Sequence, residues 1–346
     1  MRVGVDGKCL LPPRAGVARY LEGLLAGCAA LAHPDVELEV VKPDRPRHTL
    51  PWVLWELQRA CRDGFGAFHF PFYYPPLAPG CPVTVAIHDV LVLEHPEWFP
   101  HPWASPLRRL LVRGARRAAA VMTGSASVAA AIMERCGIAP ERVHLTGYGV
   151  DRSRFAPPTP DQARSAARRL GLERPFVLQV GALEPRRGAD LTVAAVGALR
   201  RRLADLELVI VGAVRAPTAT LRELPPWVRR VDWVDDALLP GLFGAAAAVA
   251  APSRGEGFDF PVLEALACGA AVGASDLAVH REHFAAAVET FARGDAGALE
   301  AALARVLEDA ERAARLRAAG PPLAATFNWE EVAARHLEVW REVGRR

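Results

Sequence analysis

The sequence predicts an α/β protein of two Rossmann-like domains, on three observations. A chain of 346 residues at 51% hydrophobic composition exceeds the roughly 250 to 300 residues that one core usually organises. Short apolar runs such as VTVAIHD, FVLQV, LELVIVGA and AAAAVAAP alternate with longer helical stretches, which is the pattern of buried parallel strands joined by helices. The third observation is the stretch from Pro252 to His283, where a GEGFDF loop runs into Pro261 and then into VLEALACG, a short helix opened by proline and closed by Gly269. It lies between two apolar runs, so it reads as a strand-to-helix junction on the carboxyl edge of a sheet, where open α/β folds bind ligands. Glu256 precedes that turn and Glu264 follows it, and both carboxylates can face one crevice.

Composition excludes several classes of function. The 42 basic and 39 acidic residues leave a formal charge of +3, with arginines scattered among acids instead of gathered in blocks with aromatics, so no nucleic-acid partner is expected. Lys8 and Lys42 are the only lysines. Cysteines at 9, 28, 61, 81, 136 and 268 form no CxxC and no zinc spacing, so buried reduced thiols are expected. No run of eighteen apolar residues suggests a bilayer span, and the chain opens directly into a strand without a basic leader. A cytoplasmic location follows, with peripheral contact at the inner membrane face if the acceptor lives there.

In chain order, residues 2–6 read as the first strand and LLPPRAG as a loop feeding the helix VARYLEGLLAGCAAL. Gly16 at its entrance lets backbone amides approach an anion, and the helix end adds about half a unit of positive charge. VELEVVK and FGAFHFPF give further strands, and turn chemistry fills residues 73–82. VTVAIHD is a fourth strand ending in His88 and Asp89. The loop EHPEWFPHPW brings aromatics to an exposed segment, with His95 and Trp98 as candidates for an acceptor surface. Residues 103–119 form an amphipathic helix with a basic face, suited to solvent or to anionic lipid. A strand and helix follow in AAVMTGSASVAAAIMERCG, and VHLTGYGVDRSRFAPP closes the first domain, with Tyr148 beside Gly149. Pro157, Pro158 and Pro160 mark a stiff hinge. The expected division is 1–156, 161–327 and a final helix 328–346.

The second domain opens with RPFVLQVGALEPRRG, a strand delivering Arg186 and Arg187 into a glycine loop. Arginine offers a rigid fork of donors suited to phosphate oxygens. The adjacent Asp235 and Asp236 are expected to cap the helix after them, and no acidic triad suggests a metal. His280 and Arg281, near the end of the central stretch, are given no task. Asn328 is expected to cap WEEVAARHLEVWREVGRR, with Trp329 and Trp340 as packing anchors.

The set PS…EGF…P.LEALA.G with two Glu seven residues apart, IHD with its downstream proline and aromatics, GALEPRRG, AGVARY and GYGVD…FAPP resembles, in the expected order and over nearly the whole chain, the retaining GT-B glycosyltransferases of family 4 with their EX7E signature. The resemblance implies two domains whose parallel sheets face an interdomain cleft, a last helix crossing back to brace the first domain, and transfer of a hexosyl group from a nucleotide-diphosphate sugar to a hydroxyl acceptor in envelope or polysaccharide synthesis, lipid-linked or small. It implies His88 and Glu256 at the transferred sugar, Arg187 with Arg186 on the diphosphate, Glu264 on the ribose hydroxyls, and Gly16 near the phosphates. Asp89, Gly257, Phe258, Asp259 and Phe260 complete the expected donor pocket, with His95, Trp98 and Tyr148 toward the acceptor. No cofactor and no metal are required, and the donor is a UDP or GDP sugar. The sequence departs from the family at Ala18 and Asp259, each at a usual glycine, and at Tyr148 at a usual asparagine. Asp259 either selects the sugar's hydroxyl pattern or caps the helix. A degenerate transferase serving as a binding or partner subunit, and a nucleotide-sugar epimerase, are the alternatives.

Overall fold

The computed structural model describes residues 1–12, 16–43, 52–99, 104–215 and 223–345. It divides into two compact units, Met1–Gly149 with Phe327–Arg346, and Val150–Thr326.

The first unit is built on a parallel six-stranded sheet in the order β2-β1-β3-β4-β5-β6. Its strands are β1 (Arg2–Asp6), β2 (Glu37–Val41), β3 (Ala67–Phe70), β4 (Val83–Ala86), β5 (Ala120–Thr123) and β6 (Val143–Leu145). β3, β4 and β5 are buried at every position, which is why they read as continuous apolar runs. The basic helix extends over Ala104–Arg117. Arg116 is held by the Cys136 carbonyl at 2.9 Å and Arg117 by that of Leu77, so its last turn is tied to the protein. All six cysteines are free thiols. No helix among the described residues is long and apolar enough to cross a membrane.

The last helix, Trp329–Arg345, belongs to this unit. Asn328 Oδ1 accepts from the Glu330 N–H at 2.8 Å and so caps it as the sequence predicts. Val332, Ala333, His336, Leu337, Trp340 and Val343 are buried at the spacing of one helical face. That face lies on the helix Gly16–Ala30, where a β-carbon at Gly23 would meet the Trp329 ring and one at Gly27 the Trp329 carbonyl. Beneath them runs a chain of buried polar groups whose proton positions follow from its ends. The Val332 carbonyl can only accept, so His336 Nδ1 donates to it at 2.7 Å and His336 Nε2 accepts from the Tyr20 hydroxyl at 2.8 Å. Tyr20 then accepts from His69 Nε2 at 3.1 Å, and His69 Nδ1 accepts from Thr84 at 2.9 Å. The Trp340 indole donates to Thr84 at 3.2 Å and completes the series.

These acceptor roles for His336 Nε2 and His69 Nδ1 rest on burial, which keeps both histidines neutral. Burial pushes His336 down to about 4 and His69 well below its ordinary value. Below pH about 6.5 the unfolded chain takes up protons that the folded chain refuses, so stability falls with falling pH. The expected result is a lower urea midpoint at pH 5 than at pH 7.5, with the loss from His336 continuing to about pH 4. An unchanged midpoint would contradict the neutral assignment.

The second unit carries a parallel sheet in the order β12-β11-β10-β7-β8-β9. Its strands are β7 (Phe176–Val180), β8 (Glu207–Val211), β9 (Val228–Val231), β10 (Ala248–Ala251), β11 (Val272–Ser275) and β12 (Val288–Phe291). The chain builds outward from β7 through β8 and β9, then returns to pair β10 against the other side of β7. This is the Rossmann strand order, and its direction reverses between β7 and β10. A core of Val177, Leu208, Ile210, Ala250, Leu299, Leu303 and their neighbours covers one face. The Asp235 carboxylate accepts from Ala237 N at 2.9 Å and Asp236 pairs with Arg154 at 3.1 Å. Neither caps the helix that follows, because that helix begins at Leu239 with Leu238 at its N-cap, too far on for either side chain to serve its first amides.

Candidate active site

The loops leaving β7 and β10 meet at the point where the strand order reverses. From β7 the chain passes Gly181 into a 3-10 turn, Pro185–Arg187, and then Gly188. Gly188 has φ of 65°, and a β-carbon there would run into the Pro252 carbonyl, so glycine alone lets the two loops close together. Arg254 from the second loop clamps the first: its guanidinium takes both Asp190 oxygens at 2.9 and 2.6 Å and the Pro185 carbonyl at 2.7 Å, and its amide donates to the Arg186 carbonyl at 2.6 Å.

The clamp sets two arginines against one carboxylate. Glu256, with its side chain 5% exposed, is ion-paired with Arg187 at 2.7 Å and accepts from Ser253 at 2.8 Å on Oε1, and accepts from Arg186 at 3.0 Å on Oε2. Arg186 also reaches Glu184 at 2.7 Å. Arg187 extends to Asp259 at 3.2 Å, and its own carbonyl accepts from Gln179 at 3.0 Å. The Arg187 Nε–H is buried without an acceptor. A buried guanidinium N–H left unused is uncommon, and here it leaves donor capacity for a further acceptor.

Gly257 and Phe258 are buried in the turn that follows. The Phe258 ring packs against Phe260, His283 and Phe284, so its side chain anchors the loop. Asp259 makes no side-chain cap to the helix Phe260–Ala267, which corrects the capping alternative: its carboxylate turns inward to Arg187 and to His280, 3.2 Å away. Burial alone would raise Asp259, but the hydrogen bond from His280 and the Arg187 charge outweigh it and hold the carboxyl below its ordinary value. Glu264 sits one turn into the helix and is 3% exposed. Gly269, at φ of 69°, ends that helix as predicted.

In the first unit Gly16 opens the helix Gly16–Ala30, and Ala18 is buried within it. Asp89 accepts from the Leu91 amide at 3.0 Å and starts the short helix Leu91–Glu94. His88 has both nitrogens engaged: Nε2 donates to the Pro71 carbonyl at 3.0 Å, so Nδ1 accepts from the Tyr148 hydroxyl at 2.9 Å. Burial pushes its pKa down, against the opposing pull of Pro71 and Asp89, and the ring is neutral. Tyr148 is thus buried beside His88, at 4% exposure, and does not present its ring as an outer surface. His95 stacks on Trp98 with centroids 3.8 Å apart and accompanies Glu97 at 3.1 Å. Pro100 to Trp103, the rest of that aromatic loop, lie outside the described residues. Among the described residues no three His, Cys, Asp or Glu side chains gather as metal ligands. Sequence reasoning passed over Ser253, Arg254 and His280. Their partners are 3, 64 and 21 residues away, and only the PS before the loop could have pointed to any of them.

Comparison with known proteins identifies the family and the fold. Residues 15–154 match the family described as Glycosyltransferase Family 4, and residues 174–309 match Glycosyl transferases group 1. Among solved structures, sucrose-phosphate synthase from Thermosynechococcus elongatus superposes with a TM-score of 0.78 at 19% identity, covering 99% of this chain and 98% of that one. Anabaena HepE, solved in complex with UDP-glucose, gives 0.76 at 19% identity over 99% and 100%. The fold is therefore the two-domain GT-B fold. D-inositol 3-phosphate glycosyltransferase of Salinispora tropica is 34% identical over 242 residues, 61% of this chain and 48% of that protein. O-antigen chain mannosyltransferase B of Escherichia coli is 24% identical over 282 residues, 79% and 74% respectively. The chain belongs to the family 4, group 1 glycosyltransferases of GT-B fold. It spans about half the length of the inositol phosphate glycosyltransferases that it matches at 30% identity or more.

Proposed function

We propose that this chain transfers a hexosyl group from a nucleotide-diphosphate sugar to a hydroxyl acceptor with retention of configuration. The observation that carries the reading is the pair of arginine forks turned onto Glu256 at the strand-order reversal, one of them with a buried Nε–H unused. A diphosphate offers such forks the planar, anionic oxygens that they fit. In the transfer, the bond from the anomeric carbon to the phosphate oxygen breaks and one to the acceptor oxygen forms on the same face. The departing phosphate oxygen takes the acceptor's proton, so no protein nucleophile is needed. Arg187 and Arg186 stabilise the charge that collects on the diphosphate, where preorganised donors act most strongly. Glu256 supports the reacting sugar as positive charge grows at its anomeric carbon, Glu264 holds the ribose hydroxyls, and His88 keeps the sugar contact that the family resemblance implies. Gly16 keeps its place near the phosphates. Anabaena HepE was solved with UDP-glucose, so a uridine donor is the first to test.

The two glutamates give the decisive experiment. Glu264→Gln is expected to weaken binding of the bare nucleoside diphosphate by about tenfold, the worth of one charged hydrogen bond. Glu256→Gln is expected to lower kcat by at least about tenfold while that affinity is kept or rises, because the two arginines lose a competing carboxylate. Calorimetry with UDP and GDP, paired with steady-state transfer from their sugars, reads both. Loss of nucleotide affinity in Glu256→Gln but not in Glu264→Gln would reverse the assignment.

A further inference from the structure

Asp259 is the one non-glycine residue with positive φ among those described, at φ 88° and ψ 70°. Glycine adopts that backbone freely and aspartate does so at a steric cost, so the carboxylate is kept against a local penalty. It is buried, and each oxygen has a cationic neighbour: Oδ1 faces Arg187 and Oδ2 faces His280 Nε2, both at 3.2 Å. The other nitrogen, His280 Nδ1, lies 2.7 Å from the Ser275 carbonyl. A carbonyl only accepts, so Nδ1 carries a hydrogen. An ionised carboxylate also only accepts, and Arg187 on its other oxygen keeps it ionised, so Nε2 carries a hydrogen as well. The imidazole is a buried cation.

Its surroundings favour that state. From the central turn it faces Asp259 and Glu256, whose charges favour the cation, while Arg186 and Arg187 face the same carboxylates from the Pro185–Arg187 turn. On its own helix, Ala278–His283, Arg281 is paired with Asp276 and His283 with Glu282. Burial pushes His283 down, and the His280 charge pushes it the same way. Burial alone would lower His280 too, yet its hydrogen bond to Asp259 raises it above the ordinary value. Ser275 is fixed in turn, its hydroxyl donating to the Ser253 carbonyl at 2.5 Å.

We propose that His280 is a positioning residue of the transfer site: in its protonated form it pins Asp259 and the backbone of the Gly257–Phe260 turn, and it keeps a counter-charge on Asp259 when Arg187 turns from the carboxylates to an incoming diphosphate. This rests on the transferase reading of the same site. Without His280, Arg187 would have to leave a buried carboxylate bare, which the protein interior strongly penalises. Deprotonation of His280 should therefore loosen the turn and bind Arg187 more tightly in place.

The test uses His280→Gln, Asp259→Gly and the double variant in the full chain. In the parent protein the His280 imidazole, followed by NMR of labelled histidine, should titrate above pH 6.5, and kcat should fall as pH rises through that same value. His280→Gln should lower kcat at pH 7 by about tenfold and abolish that alkaline fall. In the Asp259→Gly background, where the carboxylate and the strain are both gone, the same change should cost less than about twofold, because coupled residues are non-additive. An imidazole titrating at or below pH 6.5, or an equal cost of His280→Gln in both backgrounds, overturns the proposal. If no nucleotide sugar is turned over, the transferase reading fails, while the imidazole titration in parent and Asp259→Gly still decides the role of His280.

Discussion

Alanine at position 187 is expected to cut kcat/KM by at least about tenfold and to weaken nucleoside diphosphate binding, while the protein stays folded. Arg187 is ion-paired with Glu256 at 2.7 Å and donates to Asp259 at 3.2 Å. Removing one partner of a buried pair ordinarily costs roughly 3 to 5 kcal/mol, but neither carboxylate here would be abandoned. Glu256 retains Arg186 and Ser253, and Asp259 retains His280. The structural loss should therefore fall below that range. The kinetic loss has another origin: a charged hydrogen bond to the diphosphate is worth roughly 1.5 to 3 kcal/mol, and its value grows as the leaving group gains charge. Arg187→Lys should recover part of the binding through its charge and little of the rate, since an ammonium lacks the fork. Thermal unfolding, calorimetry with UDP and transfer kinetics separate these effects. An unchanged kcat/KM in Arg187→Ala would reduce Arg187 to a brace between two loops.

Trp340→Ala carries the largest expected change in stability, a loss of about 3 to 5 kcal/mol. Its indole is wholly buried on the last helix and donates to Thr84 at 3.2 Å. The truncation opens a cavity and also removes a donor from the series that runs through His69, Tyr20 and His336. Trp340→Phe should cost less, because it refills much of the space and leaves only the hydroxyl without its donor. The loss should appear in the first unit's unfolding and leave that of the second unchanged, which urea titration followed by hydrogen exchange at residues of each unit can read. Equal destabilisation of both units would show that they unfold together.

The architecture was largely legible in the sequence because strands buried on both faces announce themselves as uninterrupted apolar runs. β4, β5 and β10 are buried at every position and read directly. Local signals also held where partners are near in sequence: Asn328 caps the helix that follows it, and Gly269 closes the helix after Pro261. Motif order brought Arg186, Arg187 and Glu256 to attention, and both arginines are ion-paired with Glu256. What the sequence hid is the choice of distant partners by polar side chains. Tyr148 takes His88 from 60 residues away and His280 takes Asp259 from 21. Asp259 illustrates the physical reason. Local rules offered it a helix cap, but Arg187 and His280 offered two cationic partners in a buried setting, and the stronger electrostatics of that setting outweighed the cap.

The chain leaves the first unit at Gly149 and returns to it only at Phe327, and this has a consequence in time. At a synthesis rate of 5 to 20 residues per second, roughly 10 to 40 s separate emergence of residue 149 from emergence of the last helix. Throughout that interval the nascent first unit has Tyr20 and Thr84 but neither His336 nor Trp340, and the helix Gly16–Ala30 has no Trp329 to cover its glycines. The second unit, continuous from Val150 to Thr326, is by then fully synthesised. Domains usually mature from the amino terminus onward; in this protein the later-made unit is free to finish first, and the earlier-made one lacks its last covering layer until its final helix arrives.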